Sequence, residues 1–127
     1  MQKNELIKVI GALLLIAFVS LWPSSGDGIE IFPNADKAGH FLMYFFLCFL
    51  LVRTRNPKAK NYFKSSMFIA AGFSLYGLIM EILQEAMPFG RTFEWADAVA
   101  NTIGAFSGML LAAVFKKCKI NTRRQTL

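Results

Sequence analysis

Residues 95–115, W-A-D-A-V-A-N-T-I-G-A-F-S-G-M-L-L-A-A-V-F, decide the fold class. The stretch holds a single ionisable side chain, Asp97. At 1.5 Å per residue it makes about 31 Å of helix, the thickness of a bilayer's hydrocarbon core. Ala100, Gly104, Gly108 and Ala112 recur every four residues and form a ridge of small side chains on one face. Membrane helices use such ridges to approach one another closely. Asp97 and Asn101, also four apart, border the ridge, so the inward face of this helix carries polar groups at one end.

Working outward, three more apolar blocks are visible: Leu6–Trp22, Ala38–Val52 and Ser65–Met87. The chain is 127 residues long and 55% hydrophobic, and its charge is confined between the blocks. The expected fold is an all-α membrane bundle of four transmembrane helices, because an open sheet edge cannot be satisfied in lipid. Residues 1–115 form the membrane domain, and 116–127 a basic tail expected to be disordered after Lys119. The block at Gly39–Val52 supplies only about 21 Å of helix. To cross, it must recruit Asp36, Lys37 and His40 at one end and Arg53 at the other. The first block could instead be a cleavable signal peptide, but the following S-L-W-P-S-S-G is a poor cleavage site. Cys48 falls mid-membrane and Cys118 in the tail, too far apart to pair.

Orientation follows from charge. Of the 14 basic residues, 12 lie at Lys3 and Lys8, in the Arg53–Lys64 segment, or from Lys116 onward. With four spans these segments share one side, and a Lys/Arg excess marks the cytoplasm. Both termini are therefore expected inside, and residues 23–37 and 88–94 outside. The net charge of +6 is topological and does not point to nucleic acid.

Ionisable residues within membrane helices are costly and usually functional. Here they fall at helical one-face spacings: Asp36 and His40; Gly77, Glu81 and Gln84; Asp97 and Asn101. His40, Glu81 and Asn101 each lie roughly 6–9 Å below the outer ends of their helices. Arg91 and Glu94 sit on the loop above them. The expectation is an outward-opening polar pocket in the outer half of the bundle. Each member also has a bland role: Asp97 in an ion pair with Arg91, Asn101 as interhelical glue, His40 as a structural interfacial residue. A metal site is not expected, since one His with carboxylates has no recognised spacing. No cofactor is implied, and no nucleophile motif surrounds Ser65, Ser66 or Ser74.

Two segments resemble motifs of the VanZ-like family. D-K-A-G-H-F-L-M-Y-F at 36–45 is similar to the first, and E-I-L-Q-E-A-M-P-F-G-R-T-F-E-W-A-D-A-V-A-N-T-I-G-A-F-S-G at 81–108 to the second. The resemblance implies a small multi-pass protein of the bacterial cytoplasmic membrane. Its namesake is an accessory factor in glycopeptide resistance, associated with lowered teicoplanin susceptibility; the name does not make this chain a resistance determinant. By motif match it implies functional positions at Asp36, Lys37, His40, Glu81, Gln84, Arg91, Glu94, Asp97 and Asn101.

Two functions stay open at this point. In a binding or accessory protein, Arg91 and Lys37 would hold an anionic amphiphile, a lipid headgroup or a lipid-linked wall precursor. Gln84 and Asn101 would orient it, with Asp36 and Glu94 at its edge. In an enzyme acting on such a lipid, His40 would be the general base, with Glu81 or Asp97 as its partner. An ion pathway fares worse, because the inner half offers no matching polar groups. The ridge of Ala100, Gly104, Gly108 and Ala112 could pack within one chain or against a second copy.

Overall fold

The structure, a computed structural model, describes residues 3–21, 34–56, 60–88 and 92–125. These form four α-helices: α1 (Lys3–Ser20), α2 (Ala35–Thr54), α3 (Tyr62–Ala86) and α4 (Trp95–Gln125). There is no strand among the described residues. The 20 residues of α2 include Asp36, Lys37, His40 and Arg53, so the short apolar block does recruit its polar flanks.

Three segments are long and apolar enough to cross a membrane: Ala35–Thr54, Tyr62–Ala86 and Trp95–Cys118. The described apolar part of α1, Leu6–Ser20, is shorter, about 22 Å of helix. A fourth span, expected from the sequence, therefore does not follow from α1 as described; its expected end at Trp22 lies outside the described residues. At the other terminus, α4 runs on to Gln125, past the Lys119 where a disordered tail is expected. Residues 116–125 contain no Gly or Pro to stop a helix.

The closest packing is between α2 and α4. A Cβ at Gly104 would collide with the Phe41 carbonyl, and one at Gly108 with the Phe45 carbonyl. These two glycines let the α4 backbone rest on that of α2 within one chain. At Gly104 and Gly108 the ridge is thus covered by α2. On α2, Tyr44, Cys48 and Val52 are buried at four-residue steps, meeting Phe73 and Met80 of α3 and Ala105, Met109 and Ala112 of α4 in one core. Tyr44 meets Phe73 edge-on, with ring centroids 6.4 Å apart.

Helix α1 is peripheral. It buries only the narrow stripe Ala12, Ile16 and Ser20, and exposes Leu6, Ile7, Leu14 and Phe18. Hydrogen bonds attach it to α3: Tyr76 donates to the Leu13 carbonyl at 2.9 Å, and Gln84 Nε2 to the Ser20 carbonyl at 2.7 Å. Large apolar side chains such as Phe68, Leu75, Val114 and Phe115 are exposed on α3 and α4. In water such a surface would drive aggregation; in lipid it is the matching solvent.

The contacts also give the helix directions. Ser20 and Gln84 meet at one end, and Lys37 meets Asp97 at that same end. At the other end Lys116 bonds the Arg55 carbonyl and lies over the Tyr62 ring. Helices α1 and α3 thus run one way, and α2 and α4 the other. One end carries the acidic and amide groups, the opposite end Arg53, Arg55 and Lys116.

Candidate functional site

The polar end is built by three helices. Helix α2 presents Asp36, Lys37 and His40 in its first turns, directly after Asn34, whose φ of 64° turns the chain into the helix. Helix α3 contributes Glu81 and Gln84 from its last turns, and α4 contributes Asp97 and Asn101 from its first. Glu81, Gln84, Asp97 and Asn101 are all buried, with exposures of 1%, 4%, 6% and 1%. On α3 and α4 the face assigned by spacing packs inward; on α2 His40 is half-buried and Asp36 is exposed.

His40 links the helices. Its Nδ1 lies 3.1 Å from Asn101 Oδ1 and 3.7 Å from Glu81 Oε1. An Nδ1–H tautomer donates to the asparagine, leaving Nε2 as the acceptor. Asn101 is held in turn by α3: a Cβ at Gly77 would come within 3.0 Å of the Asn101 Cβ and 3.1 Å of its Nδ2. Only a glycine at 77 lets the asparagine sit this deep.

Above this buried layer, Lys37 forms a rim. Its Nζ is 2.7 Å from Glu94, 3.5 Å from Asp97 and 3.7 Å from Asp36. Lys37, expected to add positive charge for an anion, stands among these three carboxylates. Asp97 pairs with Lys37 at this rim; Arg91, its expected partner, lies outside the described residues. Asp36 engages Lys37, while Glu81, Asn101 and Asp97 gather about His40.

The layer opens sideways. Between α1 and α2 lies a cavity of about 450 Å³, within the usual range for small-molecule sites. Leu15, Val19, Met43, Phe46 and Leu47 make its apolar wall, and Ser20, Asp36 and His40 its polar end. Gly39 also lines it, with nothing within 4 Å of where a Cβ would stand.

Two contributors escape the sequence reading. Ser20 offers its backbone carbonyl to Gln84, one of the last carbonyls of α1, which lack an intrahelical donor. Tyr44 is fully buried one turn beyond His40, and its hydroxyl has no hydrogen-bond partner among the described residues. Its place at i+4 from His40 was the available signal. The carbonyl of Ser20 left none, since backbone groups carry no sequence mark.

A helical bundle with apolar outer faces and a buried ionisable layer defines a helical membrane protein. Among family models, one described as VanZ/LLP1 matches residues 2–116, nearly the whole chain, and the protein belongs to that family. No curated protein and no solved structure matches.

Proposed function

We propose that this VanZ-family protein binds an envelope amphiphile at the outer leaflet of the bacterial cytoplasmic membrane. All four helices cross, with both termini inside and the polar end outside. Lys8, Arg53, Arg55, Lys60, Lys64 and Lys116 then fall on the cytoplasmic side, as the positive-inside rule requires. The observation that carries the reading is the cavity between α1 and α2. An apolar wall ending at Ser20, Asp36 and His40 suits an acyl or prenyl chain whose headgroup stops at the polar layer. An anionic headgroup, lipid or lipid-linked precursor, is the class we favour, held through Arg91. Lowered susceptibility to an acylated glycopeptide such as teicoplanin would follow if the occupant or its surroundings is what the drug reaches.

The test is native mass spectrometry of the full chain from gentle detergent, wild type beside Gly39→Phe. The added ring fills the cavity where a Cβ meets nothing. A lipid-mass adduct on the wild type that falls at least about tenfold in the folded variant supports the reading. Equal adducts, or none on the wild type, count against it.

One observation favours a second reading, in which the protein acts on that amphiphile. His40 Nδ1 stands 3.7 Å from Glu81 Oε1, an acid–base pair next to the cavity's polar end. His40 would take a proton from an attacking water. His40→Gln would then abolish turnover of the lipid found in the adduct while the adduct itself persists.

A further inference from the structure

The polar end holds two overlapping groups of possible metal ligands. Among the described residues, Asp36, Glu81, Glu94 and Asp97 gather there with Lys37 as the one lysine or arginine. Lys37 Nζ sits among Asp36, Glu94 and Asp97, so that outer triad already has its cation. A deeper triad shares Asp97 with it. His40, Glu81 and Asp97 each place a ligating atom within 4.8 Å of the other two. These three come from α2, α3 and α4, which is why their chain positions show no metal-binding spacing.

Burial raises the stakes. Glu81 is 1% exposed and Asp97 6%. Buried carboxylates are tolerated when they are paired, hydrogen-bonded or bound to metal. Among the described residues Asp97 Oδ1 accepts no hydrogen bond, and its ion pair with Lys37 spans 3.5 Å. In the Nε2–H tautomer Nδ1 offers its lone pair to a cation, and Asn101 Oδ1 stands 3.1 Å from it, a separation two ligands on one ion can share. With metal–ligand bonds near 2.0–2.2 Å, neighbouring donors in a tetrahedral site lie roughly 3.3–3.6 Å apart. The 3.7 Å between His40 Nδ1 and Glu81 Oε1 is close to that edge.

We propose that His40, Glu81 and Asp97 bind one divalent cation, with Asn101 Oδ1 beside it as a further oxygen donor. One imidazole nitrogen with carboxylate oxygens is a donor set for Zn²⁺ or Mn²⁺, not for a soft ion such as Cu(I). Three protein ligands leave a fourth position, open to Asn101 Oδ1, to water or to an oxygen of a bound anion. This deepens the function proposed above: the cation supplies the positive charge that Lys37, enclosed by carboxylates, does not. It rests on that reading only for what fills the open position.

His40 is the chain's one histidine, so a single imidazole reports the site. The full chain, carrying no histidine tag, is purified in mild detergent, stripped with chelator and titrated with Zn²⁺ and Mn²⁺. Bound metal is counted by elemental mass spectrometry, and the labelled His40 ring is followed by NMR. One equivalent of metal is expected, with the His40 resonance shifted by Zn²⁺ and broadened by Mn²⁺. His40→Gln and Asp97→Asn should each weaken binding by at least about tenfold, while Cys118→Ser should not. A His40 resonance unmoved by saturating metal in helical, monodisperse protein overturns the proposal without needing any variant. Binding that survives His40→Gln and Asp97→Asn overturns it too. Lipid adducts recorded with and without metal separate the two ideas. Metal at His40 without any adduct leaves the cation site and sinks the amphiphile; an adduct with His40 untouched does the reverse.

Discussion

Gly104 of α4 rests directly on the carbonyl of Phe41 of α2, with no room for a Cβ between them. Phe41 follows His40, and Gly104 lies one turn beyond Asn101. A close backbone approach of α4 to α2 therefore sits beside the 3.1 Å contact between His40 and Asn101, and helps set how near those side chains come. Packing and site are one construction at this point.

Gly104→Ala and Gly108→Ala should each destabilise the protein, by about 1–3 kcal/mol or more, because the obstacle is backbone and cannot rotate away. Gly11→Ala and Gly72→Ala meet open space and should be neutral, or stabilising by up to about 1 kcal/mol. Thermal unfolding in detergent checks all four. Equal melting across the set would mean that α2 and α4 are not this close.

Gln84→Ala should loosen α1. It leaves the buried Ser20 carbonyl without its donor, a loss of about 1–3 kcal/mol. Because α1 buries so narrow a stripe, the effect should be local. Hydrogen exchange should rise along Ala12–Ser20 while α4 stays protected; a uniform rise over all helices would contradict the peripheral placement of α1.

Lys37→Ala removes the ammonium from Asp36, Glu94 and Asp97, whose carboxylates come within 4.8 Å of one another. Repulsion among them should lower the melting temperature at low ionic strength. Millimolar Ca²⁺, an oxygen-seeking ion, should restore part of it in the variant and change the wild type less. A variant as stable as the wild type, and indifferent to Ca²⁺, would show that these carboxylates do not need Lys37.

Orientation is accessible to labelling in a Cys118→Ser background, since Cys48 is buried. A cysteine at Lys60 should react with an impermeant thiol reagent only after the cells are opened. One at Thr92 should react in intact cells. The opposite pattern would place the polar end in the cytoplasm and remove the outer-leaflet reading.

Much of this was legible in residue order. The blocks of apolar sequence gave the helices, and four-residue spacing picked out Glu81, Gln84, Asp97 and Asn101 as inward-facing, as their burial bears out. The length of α1 was less legible, since composition alone does not say where a helix stops.

By itself the sequence determined the class of protein, the faces that α3 and α4 turn inward and the end at which polar groups collect. Those properties repeat along one helix, and a 3.6-residue period records them. Only the tertiary structure decided that α2 covers Gly104 and Gly108, that Lys37 is enclosed by carboxylates, and that His40, Glu81 and Asp97 meet within 4.8 Å. Periodicity tells which way a side chain points from its own axis. It carries no term for which helix stands opposite, and that distance is set by the depth to which two glycines let α4 sink onto α2.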